Sequence, residues 1–401
     1  MGHNAHRGQG LSIGGPVDSM RKCVGAVVFM ALVGSVMLVP RRVYAQHEGR
    51  RLLRAYLSLS DAYDTNVLKV GGQSADKGDN IVYVQPSLDL FLPFRFGADV
   101  DVSYTFTYLN YSKYTQYNTY YNDLNASINL YPVRHLVFGI ADQYTVVPIS
   151  PQLPTFAVTN ITQANYLNPY IKYELPIGRR FSIDVRYDYI KADFPGSLGF
   201  SYDVQEPQIN AVVLLDRYVK LKPGFQYISQ TFTSPSLGTI NQSLPYFEID
   251  VSNGSKLSFT ARYSYITFGF TNNTQSGNIY LAKVAYKAEK RLKADLYVDG
   301  SKAFDIFGRL YDTQVAGGLD LDYDLTDQLT GILGAQYLKL KYTGENYYTD
   351  AYGFDIGINY RFVRWAELFA TYYYYDERPE SSNANKYQDS RILAGIRAGL
   401  L

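Results

Sequence analysis

Residues Ala98-Asp99-Val100-Asp101-Val102-Ser103-Tyr104-Thr105-Phe106-Thr107-Tyr108 place an apolar or aromatic side chain at every even position and a short polar one at every odd position. A period of two is the period of an extended strand with one oily and one wet face. The same alternation recurs along the chain. Leu124, Ala126, Ile128 and Leu130 oppose Asp123, Asn125, Ser127 and Asn129, and Phe181, Ile183, Val185 and Tyr187 oppose Ser182, Asp184, Arg186 and Asp188. Leu257, Phe259, Ala261 and Tyr263 oppose Ser258, Thr260, Arg262 and Ser264, and Phe354, Ile356, Ile358, Tyr360 and Phe362 oppose Asp355, Gly357, Asn359 and Arg361. No helical stripe interrupts the series after Leu52.

The connections between these runs alternate in length. Short links fall at 93–96, 132–135, 176–180, 216–218, 252–255, 289–291, 326–327 and 363–364. Longer ones fall at 64–79, 111–119, 148–163, 192–202, 232–242, 271–277, 301–310, 343–350 and 376–387. Counting the runs between them gives about 18 strands, with 16 as the alternative. An even number of antiparallel strands with short turns at one end and long loops at the other is the pattern of a transmembrane up-and-down β-barrel. A soluble β-sandwich also alternates, so the long-and-short rhythm and an export signal carry the choice.

All four Met (Met1, Met20, Met30, Met37) and the one Cys (Cys23) lie in residues 1–45. That head has the order of a secretory signal: Arg21 and Lys22, an apolar run from Cys23 to Val39, then Val43-Tyr44-Ala45 with small residues at the cleavage positions. The expected organisation is an N-terminal extension and cleaved signal over 1–45, read as starting at Met20 or Met1, a short periplasmic leader over 46–51, and a barrel over 52–401. A membrane anchor is the other reading of the apolar run. Five of the 38 bases and one of the 37 acids go with the head, so a net charge of +1 becomes −3. The remaining chain has no Cys, so no disulfide, and only His47 and His135 to offer a metal. No cofactor is expected. The near-neutral charge gives no footprint for nucleic acid. Apolar residues at 46% exclude a disordered chain, and a mean hydropathy of −0.19 excludes a polytopic helical membrane protein.

Aromatic residues make up 15% of the chain, 40 of them Tyr. They cluster near the ends of the runs, at Tyr104 to Tyr108, Tyr117 to Tyr121, Tyr347 and Tyr348, and Tyr372 to Tyr375. Such clusters suggest the girdles that sit at headgroup depth. In lipid the oily parity must face out and the wet parity must face a lumen too wide for side chains to fill. The pore-lining candidates are therefore Asp99, Asp101, Asp123, Asp184, Arg186, Asp188, Lys220, Lys222, Glu248, Asp250, Arg262, Lys283, Lys287, Lys293, Asp295, Asp320, Asp322, Asp355, Arg361, Glu367 and Arg397. Acids and bases among them nearly match, which predicts no clear ion selectivity, although facing rows of opposite sign would set up a field. Read one by one, the same residues are solvated wall groups making cross-strand pairs. The proline-bearing stretch 148–163 is the most apolar long connection and either folds inward as a partial plug or stands as a surface loop.

Enzyme chemistry finds little footing. A barrel lipase needs a Ser and His at membrane depth, whereas His135 falls in a turn and His47 precedes the first strand. Acid pairs such as Asp320 with Asp322 or Glu248 with Asp250 share a face, but such pairs are expected by chance on a polar wall. The expected partners are outer-membrane lipid, lipopolysaccharide and the barrel assembly machinery, in a Gram-negative bacterium. A terminal aromatic, which that machinery usually meets, is replaced here by Leu400 and Leu401. Oligomeric state and cargo stay open.

The first run, Leu57-Ser58-Leu59-Ser60-Asp61-Ala62-Tyr63-Asp64-Thr65-Asn66-Val67, is followed by a polar loop and then Val84-Gln85-Pro86-Ser87-Leu88. This resembles the opening of the β-barrel porin families found with exopolysaccharide export and exosortase-type systems, in which a Tyr-Asp-x-Asn element precedes a Pro-Ser-Leu strand. Tyr63, Asp64 and Asn66 match the element; a capped first outer loop is what their chemistry alone suggests. The resemblance implies an outer-membrane protein that helps a surface polysaccharide leave the cell, with polysaccharide export components as partners. A general diffusion porin for small polar solutes and a non-channel receptor or adhesin barrel are the alternatives.

Overall fold

The computed structural model describes residues 52–67, 78–94, 97–133, 135–148, 161–175, 180–194, 201–233, 238–254, 256–269, 274–288, 291–301, 311–342, 348–379 and 386–399. The expected signal over 1–45, the leader over 46–51 and the core of the proline-bearing stretch, 149–160, lie outside them. Alternation becomes strand wherever it occurs: β1 (Leu53–Asp64), β2 (Asp79–Phe94), β3 (Ala98–Tyr111), β4 (Thr119–Val133), β5 (Leu136–Pro148) and β6 (Ile161–Glu174). The series continues with β7 (Phe181–Asp193), β8 (Tyr202–Leu214), β9 (Val219–Phe232), β10 (Thr239–Asn253), β11 (Leu257–Gly269) and β12 (Thr274–Ala288). It ends with β13 (Leu292–Ser301), β14 (Tyr311–Asp324), β15 (Leu329–Tyr342), β16 (Thr349–Val363), β17 (Ala366–Pro379) and β18 (Tyr387–Gly399). Each strand pairs antiparallel with its sequence neighbours, and β1 pairs with β18. The sheet is thus a closed ring of 18 strands, which settles the count and leaves no edge.

Closure depends on turns that reverse the chain in a few residues. Asp216 Oδ1 accepts from the backbone N–H groups of Tyr218 and Val219 at 2.6 and 2.9 Å, and Thr326 Oγ1 accepts from those of Gln328 and Leu329 at 3.2 and 3.0 Å. Between β2 and β3, Gly97 takes φ +81°, and a Cβ there would lie 2.9 Å from the Tyr131 carbonyl oxygen, so only glycine suits both the backbone and the space. The short turns share one end of the barrel and the long connections share the other. By the ordinary habit of such barrels these are the periplasmic and outer ends.

Residues opposite one another in register share a face, and the pairs can be followed around the ring. One face carries the exposed apolar side chains, among them Ile128, Phe138, Ile171, Val185, Phe225, Phe259, Leu296, Ile358 and Ile356, the last 55% exposed. Such a surface is stable against lipid and not against water. The other face turns inward.

That inward face is not uniformly wet. Toward the outer end it becomes apolar and buried. Ile81, Leu109 and Tyr111 pack with Val67 and with Tyr83, Tyr114, Tyr117 and Tyr121. Ala164, Ala192 and Phe194 pack with Tyr202, and Leu244, Ile266 and Phe268 pack with Ile228 and Ile279. Phe268 is 0% exposed, so the space in front of it is filled. Two expectations need correction here. The wet parity is interrupted toward the outer end by these apolar clusters, which stand beside the buried Asp64 and Asp79, and Tyr117 and Tyr121 belong to an inner cluster, not to a girdle. Tyr373 and Tyr375 likewise share the inward face with Arg391 and Asp389, whereas Tyr372 and Tyr374 face out with Ile392 and Ser390.

Candidate functional site: the inward wall

The register places every pore-lining candidate on the inward face. On one arc, Asp99 stands opposite Asn129, Asp101 opposite Ser127, and Asp123 opposite Thr105 and Thr145. On the next, Asp184 stands opposite Lys172 and Asn210, Arg186 opposite Tyr170 and Gln208, and Asp188 opposite Glu206. Lys220 and Lys222 oppose Asp250 and Glu248, which oppose Thr260 and Arg262. Lys283 stands between Thr260 and Tyr297, Lys287 beside Lys293, and Asp295 beside Asp320; Lys293 meets Asp322. Asp355 lies between Gly334 and Tyr373, Glu367 opposes Arg397, and Arg361 lines the same hollow as Asn359 and Glu367.

Many of these charges are paired along the wall. Lys222 Nζ donates to Glu248 at 2.8 Å and also contacts Asp250, so this same-face acid pair is held by one ammonium and offers no free acid and base. Arg186 Nε reaches Asp188 at 2.8 Å, Lys283 reaches Asp295 at 3.7 Å, Lys293 reaches Asp322 at 3.8 Å and Arg397 reaches Glu367 at 2.9 Å. Amides and phenols fill the gaps. Asn129 and Tyr131 donate to the two oxygens of Asp99, both at 2.8 Å, and Gln143 and Asn125 donate to Asp123. Farther round, Gln208 donates to the Tyr246 hydroxyl at 2.6 Å, Arg262 donates to Gln226 at 3.0 Å while lying 3.8 Å over the Tyr246 ring, and Gln226 donates to Glu206.

Several tyrosines lie flat on this wall because the neighbouring strand supplies a glycine. The Tyr170 ring covers Gly139, Tyr246 covers Gly224 and Tyr297 covers Gly318, each filling the space a Cβ would take.

The charge is distributed unevenly. The inward faces of β2 to β5 carry Asp79, Asp89, Asp99, Asp101 and Asp123 and no base, whereas β9 to β12 carry Lys220, Lys222, Arg262, Lys283 and Lys287 against Glu248 and Asp250. In a ring of 18, strands nine apart face one another, so β2 and β3 stand across the lumen from β11 and β12, which carry Arg262, Lys283 and Lys287.

Parity alone missed Asp89, Glu206, Asp299 and Asp324. Around Glu206 both parities are polar, since Asp203, Gln205 and Glu206 are all hydrophilic, and only the register to Asp188 tells which way Glu206 points. Across β3 to β8 the wall forms an open hollow of about 550 Å³ whose lining includes Asp101, Ser103, Ser127, Gln143, Asn168, Arg186 and Glu206.

The element Tyr63, Asp64 and Asn66 lies elsewhere, at the outer end of the β1–β18 seam. Buried Asp64 accepts from Arg391 through Oδ2 at 2.7 Å and from the Asn66 backbone N–H through Oδ1 at 2.8 Å. Asn66 Nδ2 donates to the Gln388 carbonyl at 3.0 Å, and Thr65 and Ser390 exchange two further bonds of 2.9 Å. The element therefore does fold the start of the first outer loop, and it also ties the first strand to the last. Tyr63 faces out and stands over Gly78. Asp79, which the sequence did not single out, accepts from the backbone N–H groups of Lys113 and Tyr114 at 2.8 and 2.9 Å and so fixes the neighbouring 112–118 connection.

Residues 311–400 match a family described as "Putative beta-barrel porin 2". Among solved structures, the chain is similar to OccK2 (OpdF) of Pseudomonas aeruginosa in complex with glucuronate, at 9% identity and a TM-score of 0.51 over 87% of this chain and 98% of that one. It is similar to the outer membrane protein opdK of the same organism at 9% identity and a TM-score of 0.50, over 86% of this chain and 99% of that one. OpdQ of Pseudomonas aeruginosa gives 9% identity and 0.50 over 87% and 98%. No curated protein matches the chain. At this identity the likeness is one of fold, and the fold is that of an outer-membrane porin barrel.

Proposed function

We propose that this barrel is a porin-like channel of the Gram-negative outer membrane that passes small polar solutes by diffusion, with a modest preference for cations over anions. The observation that carries the reading is a ring of 18 strands whose inward face bears charged and amide side chains along most of its circumference. An 18-strand ring is too wide for its own side chains to fill. The cation preference rests on the β2 to β5 arc, where inward carboxylates have no basic neighbour on their own strands. A field of that sign raises the local concentration of cations. The solved relative OccK2 (OpdF) holds glucuronate, an anion; the acidic arc disfavours that class of solute here.

Purified full-length protein in planar bilayers tests this reading. Stepwise conductance without any partner, and a reversal potential in a salt gradient with the sign of cation preference, are expected. A silent barrel would overturn the channel reading and favour the second one, an accessory to polysaccharide export that opens only with its partners. That second reading rests on the resemblance at Tyr63, Asp64 and Asn66, residues which the barrel itself uses to tie its seam.

A further inference from the structure

We propose that the hollow across β3 to β8 is a binding subsite for polyhydroxylated solutes that carry no anionic group. Its volume of about 550 Å³ falls among ligand pockets of about 300–1,000 Å³. What selects the solute is the mixture of hydrogen-bonding capacity left on the wall. Arg186 gives Nε to Asp188, and among the described residues no bond reaches its two terminal nitrogens. Glu206 takes one bond from Gln226 on Oε1, which leaves Oε2 to accept. Gln143 gives its Nε2 to Asp123 and keeps its carbonyl oxygen, while the hydroxyls of Ser103 and Ser127 carry no bond among the described residues.

Donors and acceptors are therefore interleaved around one hollow. A carboxylate or phosphate offers only acceptors, so it would satisfy Arg186 and meet repulsion from Glu206 and Asp188. An ammonium offers only donors, so it would satisfy Glu206 and Gln143, and Asp101 and Asp188 in the same lining offset the repulsion from Arg186. A hydroxyl is both donor and acceptor, and a ring of hydroxyls can pair with both kinds of atom without bringing an uncompensated charge into a partly enclosed site. Tyr166 lines the same hollow and is 38% exposed, offering an apolar ring face for the C–H face of a pyranose. The inference deepens the channel reading, since the solute reaches this site from the lumen.

The test uses one pyranose in three charge states. Glucose, glucuronate and glucosamine are titrated against the full chain folded in detergent, and binding is read by saturation-transfer NMR. Saturable binding of glucose and of glucosamine that exceeds binding of glucuronate several-fold is expected. Arg186→Ala weakens it roughly tenfold, equivalent to about 1.4 kcal/mol. Ser127→Leu, which fills the hollow and leaves every charge in place, abolishes it. Heat-modifiable migration of both variants shows that they still fold. Equal or tighter binding of glucuronate, or glucose binding unchanged in both variants, would overturn the subsite. Conductance is measured separately: a barrel that conducts and does not bind glucose loses the subsite alone, and one that binds glucose and never conducts loses the channel reading alone.

Discussion

The inward face has two regions of opposite character. On the β3 to β8 wall, Ser103, Ser127, Gln143, Asn168 and Arg186 surround a polar hollow. At the outer end of the same face, Ile81, Leu109, Ile240, Ile266 and Phe268 are almost wholly buried. Parity is the same in both, so parity decides only which side a residue takes. Height along the strand decides whether that side is wet. A barrel built this way has its solvated wall below a packed rim, where apolar clusters stand beside buried polar groups such as Asp64 and Asp79, and the two regions should respond differently to the same kind of substitution.

The largest effect is expected at the rim. Phe268→Ala should destabilise the folded barrel by about 3–5 kcal/mol, because an aromatic ring with no exposure leaves a cavity; Gln143→Ala on the wet wall should change stability by less than about 0.5 kcal/mol. Urea unfolding from lipid vesicles measures both, and equal effects would erase the distinction. On the outward face, Ile356→Arg should cost about 2–4 kcal/mol by the same assay if that surface meets lipid near mid-depth.

Ion pairs sharpen the comparison. Breaking the buried Asp64–Arg391 pair with Asp64→Ala should cost about 2 kcal/mol, since it strands a guanidinium beside the rim. Breaking the more exposed Glu367–Arg397 pair with Glu367→Ala should cost less than about 1 kcal/mol. The smallest change in stability belongs to Asp99→Asn combined with Asp101→Asn. Stability should hold to within about 0.5 kcal/mol while the reversal potential in a salt gradient moves toward zero; an unmoved potential would separate the acidic arc from selectivity.

Much of this was legible in the sequence, because a period of two survives any register. Ala98 to Tyr108 and Phe354 to Phe362 announce their faces by themselves, and the short links at 216–218 and 326–327 carry the side chains that fold them. What parity could not supply was depth. Tyr117 and Tyr121 look like girdle residues in a string of tyrosines, yet they pack against Leu109 and Tyr111 inside the ring. Nor could it supply contacts between residues far apart in the chain. Nothing near Asp64 in sequence points to Arg391, and the seam that joins them exists only once the ring has closed. Glu206 was hidden for a simpler reason: where both parities are polar, alternation has no contrast.

The tyrosines that lie over glycines have a consequence for calibre. Tyr170, Tyr246 and Tyr297 keep their rings against the wall only because Gly139, Gly224 and Gly318 have no Cβ. A single methyl at any of these glycines would lift a ring some distance toward the axis, trading a flat surface for a bar across the passage. The bore can therefore be narrowed one phenol at a time, from the neighbouring strand, without touching a charge or a loop.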